Sequence, residues 1–264
     1  MGLLQNLKRG VNRPLFKISI IFSFVIVAVA IFLDLDGRIN YPYEFFRGVV
    51  IPPVTRWMGV LGFTGASILI LTYPLLAAMA YSDIFWEDRK TGLNQVILTK
   101  INQRKYYISN YLAGFILGGI AGIAALTINI MLMLLIYPAI SVNQLIAEGI
   151  FSSSKIFAEL YYSSSLLYVL ARLGALFLWS GLISVFSMSL SFIFSNRYLP
   201  MIVPMFLLLI VDMLTRLIVW HGGTGRQFIL GGDFTFVTFV SATLMILFTA
   251  LFFTIGYKRN EKFE

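Results

Sequence analysis

The sequence predicts an all-α membrane protein. It should have six transmembrane helices, an N-terminal amphipathic helix, and a cytoplasmic helix between spans two and three. Three observations carry this expectation. Of 264 residues, 59% are hydrophobic and only 12% charged, with a mean hydropathy of +0.86; a soluble domain runs at about 45–50% apolar and about 25% charged. The apolar residues fall in runs of about 20 or more, the length that crosses a bilayer core as a helix. The Lys and Arg residues gather in alternate connections between those runs.

Residues 1–13 are short and basic, with Leu3, Leu4 and Leu7 on one helical face, and read as an amphipathic segment on the cytoplasmic surface. The first span is about 14–33. It is followed by Leu33-Asp34-Leu35-Asp36 rather than by the small-residue cleavage site of a signal peptide. Residues 34–56 read as an external loop, and Tyr41, Tyr43, Phe45, Phe46 and Trp57 suit an interfacial aromatic belt. The second span is about 57–81, with Pro74 expected to kink it.

A charged segment, 83–105, leads to the third span at about 107–136. That span carries Gly114, Gly118 and Gly122 at intervals of four, a stripe that lets a second helix approach closely, either within this chain or in a dimer. Residues 137–164 read as an external segment on the membrane surface. The fourth span is about 166–194, the fifth about 201–220 and the sixth about 234–257. The whole chain, 1–264, is then one transmembrane domain.

With both termini inside, the inner segments hold thirteen basic residues and the outer ones five: Arg38, Arg47, Arg56, Lys155 and Arg226. That imbalance sets the orientation, with both ends cytoplasmic. It also accounts for the net charge of +8 without nucleic acid. The chain has no cysteine and one histidine, which excludes disulfides, thiolate chemistry and a histidine-based metal site.

The 83–105 segment is too long for a simple turn. From Gly92 onward, Leu93, Val96, Ile97 and Ile101 recur at helical spacing, giving a short amphipathic helix. Its apolar stripe can bury against the membrane surface, the rest of the chain or a cytoplasmic partner.

Here the sequence resembles the permease subunits of ABC-2-type exporters. The resemblance rests on Phe85-x-Glu87-Asp88-Arg89-x-x-Gly92, then Leu93, Val96 and Ile97, then Arg104-x-Tyr106. It covers the layout of nearly the whole chain and is specific over about Phe85–Leu112. Two departures stand out: Ser109-Asn110 occupies the place of a common Gly-Lys pair, and the last external loop, 221–233, is short.

The resemblance implies that this segment is the coupling helix, seated in a groove of an ATPase subunit. Phe85, Glu87, Asp88, Arg89, Gly92, Leu93, Val96 and Ile97 would be the coupling residues. It also implies two partners, a separate P-loop ATPase and a second permease chain, identical or related. The site would be the bacterial cytoplasmic membrane, with membrane lipid around the chain.

The chain itself has no Gly-x-x-x-x-Gly-Lys-Ser/Thr phosphate cradle. ATP and Mg²⁺ would therefore be held by the partner, and this chain is not expected to bind a cofactor or to be an enzyme. Arg172, Asp212 and Arg216 are ionisable residues within spans, and Asp212 and Arg216, four apart, share a helix face. They form either a gate at the outer end of a transport path or a structural ion cluster. The Phe-rich, charge-poor spans suit an amphipathic or hydrophobic cargo, and the family analogy favours a peptide such as an antimicrobial peptide. The alternatives are a non-transporting membrane scaffold or immunity protein, and a secondary carrier.

Overall fold

The computed structural model describes residues 2–40, 53–54, 57, 64–136, 158–219 and 236–261. Side chains are described at those positions except 33–40, 64–67, 158–159, 215–219, 236–239 and 255–261. Among the described residues the chain is mostly helical, with no strand.

Short α1 (Leu3–Val11) precedes α2 (Pro14–Asn40), and α3 (Thr64–Met79) leads through a turn into α4 (Ile84–Lys90) and α5 (Leu93–Leu98). The long α6 (Gln103–Ile136) follows, then α7 (Ala158–Ser163), α8 (Ser165–Leu190), α9 (Leu199–Val219) and α10 (Phe236–Glu261). Four runs of the described residues are long and apolar enough to cross a membrane: Pro14–Phe32, Ile68–Lys90, Gln103–Ile136 and Ser165–Leu190. Two shorter apolar stretches are Leu199–Leu214 and Val240–Thr254.

Several boundaries differ from the sequence expectation. The first long helix continues past Leu33 to Asn40, because a helix satisfies its own backbone hydrogen bonds and can project beyond an apolar layer. The expected kink position, Pro74, lies inside α3, and a second proline, Pro204, lies inside α9. The fourth apolar helix stops at Leu190 rather than Phe194. Ser191 closes its end by donating its hydroxyl to the Met188 carbonyl at 2.7 Å. Trp57 is fully buried against the protein, its indole N–H donating to the Leu126 carbonyl at 3.0 Å. The other expected belt residues, Tyr41, Tyr43, Phe45 and Phe46, lie outside the described residues.

Two apolar cores lie at opposite ends of the bundle. One gathers Phe16 at the start of α2, Tyr81 after α3, Tyr106 and Tyr107 at the start of α6, and Met188 near the end of α8. The other gathers Ile26 and Val27 of α2, Tyr73 of α3, Leu126 and Ile130 of α6, Tyr168 and Leu176 of α8, Leu208 of α9 and Met245 of α10. Phe253, later in α10, packs on the first core. Thus α2, α3, α6, α8, α9 and α10 alternate in direction between the two cores. The α1, α4 and α5 helices and the α8–α9 connection all sit at the first, basic end.

The most extensive helix pair is α6 with α8. Gly114 abuts Met188, Gly118 abuts Ser184, and Gly122 abuts Ser180, so a seam of small residues runs along both helices. The glycine stripe therefore serves packing within the chain, and the serines of the fourth apolar run form its other wall.

Candidate coupling site

The loop between the second and third long helices is a two-helix elbow. The turn at its corner requires Gly92, whose φ of +70° lies in the left-handed region. The sequence signal for a helix began at Gly92. The preceding α4 went unseen because seven residues, four of them charged, carry too little apolar periodicity to register.

The acidic side chains of this elbow turn into the protein. Asp88 is fully buried. One of its oxygens accepts from Arg9 of α1 at 2.5 Å and the other from the Tyr106 hydroxyl of α6 at 2.5 Å. Asp83, also buried, pairs with Arg13 at 2.9 Å and with Arg197 of the α8–α9 connection at 2.8 Å. Glu87 pairs with Arg13 from a more exposed position. Three carboxylates thus meet three guanidiniums drawn from α1, the turn before α2, and the α8–α9 connection. Burial works against the Arg9 charge, but the hydrogen bond and charge of Asp88 outweigh it and hold Arg9 above the ordinary arginine range. Arg9 therefore stays charged at any physiological pH.

Phe85 is equally internal. Its ring lies 5.0 Å from Phe192, 5.4 Å from Tyr111 and 5.5 Å from Tyr107, between centroids. It plugs α4 into α6 and the end of α8. Arg89 donates to the Phe85 carbonyl at 3.0 Å and to the Ser191 carbonyl. Trp86 donates to the Ser195 carbonyl at 2.8 Å and lies under Lys90 and Arg197, at 4.9 and 5.8 Å.

On α5, Ile97 is buried in the basic-end core, with Leu93, Leu98 and Ile101 packed against it. Val96 points away and is 55% exposed, beside exposed Gln95, Thr99 and Lys100.

Of the expected coupling residues, Phe85, Asp88, Leu93 and Ile97 therefore face this chain itself. The reason is that the apolar stripe finds its cover in the bundle's own core. The face of α5 left uncovered is that of Val96 with Gln95, Thr99 and Lys100. The sequence reading missed Arg9, Arg13, Arg197 and Tyr106 as members of the site. A signal was there: three acids sit within six residues of a chain with only twelve, and Arg9 and Arg13 are four apart.

The intramembrane candidates lie on two helices, α8 and α9. Arg172 is buried on α8 within electrostatic reach of Tyr168. Asp212 is half-buried on α9 within electrostatic reach of Tyr73, whose hydroxyl accepts from the Trp179 indole at 2.9 Å. The Arg216 side chain lies outside the described residues. No group of three metal-ligating side chains occurs among the described residues.

No protein-family model matches the chain significantly, and neither does any curated protein or solved structure.

Proposed function

We propose that the chain is the transmembrane permease subunit of an ATP-driven ABC exporter in the bacterial cytoplasmic membrane. In this reading all six alternating helices span the membrane, and both termini are cytoplasmic. A separate P-loop ATPase holds ATP and Mg²⁺, and a second permease chain completes the path. The cargo is amphipathic or hydrophobic, a peptide being favoured by the apolar helix faces and by the family resemblance.

One observation carries the reading. The α4–α5 elbow joins two long helices, buries every acid it can against arginines from three other segments, and still leaves the Val96 face of α5 uncovered. Such an elbow works as a rigid lever. A push on α5 reaches α3 and α6 directly, and reaches α1 and the α8–α9 connection through the ion pairs. ATPase closure would supply the push, and the lever would convert it into rearrangement of the spans.

The chain has no cysteine of its own, so a single Val96→Cys variant gives a clean cross-linking site. In native membranes, a thiol-reactive cross-linker at this position should capture a P-loop ATPase, identified by mass spectrometry. Val96→Asp should abolish co-purification of that ATPase while leaving expression and insertion unchanged. Capture of no ATPase from position 96, nor from Gln95→Cys or Thr99→Cys, would sink the permease reading and leave a scaffold or a secondary carrier.

A further inference from the structure

We propose that the groove between α1 and the start of α6 binds the headgroup and upper acyl chain of one anionic phospholipid from the inner leaflet. The groove has a volume of about 480 Å³. Its walls divide by chemistry. Along α6, Asn102, Arg104 and Lys105 come first and Ile108 and Leu112 further on, while Leu3 of α1 adds an apolar side chain to the wall. Ser109 also lines it, but its hydroxyl is engaged within the protein, accepting from Asn6 at 2.9 Å and donating to the Tyr106 carbonyl at 3.0 Å.

Position along α6 fixes the depth of each wall. Leu112 lies eight residues beyond Arg104, about 12 Å further along the axis at about 1.5 Å per residue. The full 34-residue helix is about 51 Å long and so exceeds a hydrocarbon core of about 30 Å. Its basic first turn therefore reaches headgroup level while Ile108 and Leu112 reach the acyl chains. Those two residues are 56% and 48% exposed, apolar surface that lipid tails can cover.

The acidic residues of the elbow do not oppose an anion, because Asp83, Glu87 and Asp88 are already paired with Arg9, Arg13 and Arg197. Arg104 and Lys105 are exposed at the groove rim. Basic pockets at the cytoplasmic side of membrane helices hold anionic headgroups by this complementarity. Such a lipid would stitch α1 to α6 from the membrane side.

This proposal rests on the membrane reading of the chain with its basic end cytoplasmic, and is independent of any ATPase. The test uses the full-length chain in nanodiscs of equal parts phosphatidylcholine and phosphatidylglycerol, with native mass spectrometry counting the lipid retained. The wild type should keep one phosphatidylglycerol in preference to phosphatidylcholine. Arg104→Gln with Lys105→Gln should weaken that retention roughly 25-fold, from the loss of two basic contacts. Lys17→Gln with Lys90→Gln removes the same charge from the same end but away from the groove, and should change it less than about twofold. Equal losses in both double variants would mean general surface attraction and overturn the site. So would no loss in either, or displacement of the lipid by inorganic phosphate, which would assign the groove to a free anion.

Discussion

At the residue scale, the ion network sorts its members by burial. Removing one partner of a buried pair leaves the other charge uncompensated, at a cost of about 3–5 kcal/mol, whereas an exposed pair is worth about 0–1 kcal/mol. Asp88 and Asp83 have side chains 1% and 0% exposed, and Glu87 is 41% exposed. Asp88→Ala and Asp83→Ala should therefore each destabilise the protein by about 3 kcal/mol, the low end of the buried range, because Arg9 and Arg197 keep some water. Glu87→Ala should cost less than about 1 kcal/mol. Thermal unfolding in mild detergent checks the order, and equal shifts for all three would contradict it. Gly92 behaves differently. Nothing crowds it, so Gly92→Ala meets only the left-handed backbone penalty of about 1–2 kcal/mol, whereas proline cannot adopt its φ of +70° at all. On the permease proposal, Gly92→Pro should straighten the elbow and abolish export while the chain still inserts, and Gly92→Ala should retain export. The acids were legible in the sequence as a cluster. Their pairing was not, because the contacts span 79 residues from Arg9 to Asp88 and 114 from Asp83 to Arg197, so the spacing of Arg9 and Arg13 showed two cations on one face but not which acids they meet.

At the element scale, the long apolar runs were readable because burial in a membrane or a core demands sustained hydrophobicity, which shows directly in composition. Their ends were less readable, since helical hydrogen bonding continues into polar sequence, as α2 does to Asn40 and α10 to Glu261. The Gly stripe was visible as a close-approach surface, but its partner became clear only when Ser180, Ser184 and Met188 met it in antiparallel order. That arrangement makes a graded prediction. A Cβ on Gly118 would strike the Ser184 side chain and sit 3.2 Å from the Ala77 backbone carbonyl, so both α8 and α3 must yield. Gly174, on the same α8, has open space around it. Gly118→Leu should lower the unfolding midpoint sharply, in the range of about 1–3 kcal/mol or more for overpacking. Gly174→Leu should leave it unchanged or slightly higher, since a helical glycine costs about 1 kcal/mol against a better helix former. Comparable losses at both positions would show that α6 and α8 are not packed along this seam.

At the scale of the whole molecule, the question is how many of the alternating helices cross the bilayer. Four described runs are long and apolar enough to do so, and α9 and α10 are shorter in their apolar part. Yet both follow the same alternation. The Ser187 hydroxyl donates to the Pro200 carbonyl at 2.5 Å, starting α9 at the basic end, Leu208 reaches the far core, and α10 returns from Met245 there to Phe253 at the basic end. Four spans and six spans give the same side for both termini, so locating an end decides nothing. The connection after α9 does decide it. With six spans, Arg226 faces outward together with Lys155; with four, it stays inside. Single Arg226→Cys and Lys155→Cys variants, in a chain otherwise free of cysteine, can be treated with a membrane-impermeant maleimide in intact cells. Asn12→Cys and Asn196→Cys, at the basic end, should be protected until the cells are permeabilised. Labelling of Arg226→Cys before permeabilisation, alongside Lys155→Cys, is the six-span outcome. Protection of Arg226→Cys would reduce the membrane domain to four helices. It would move α9 and α10 to the membrane surface or the cytoplasmic side, and Asp212 would then no longer be a candidate gate.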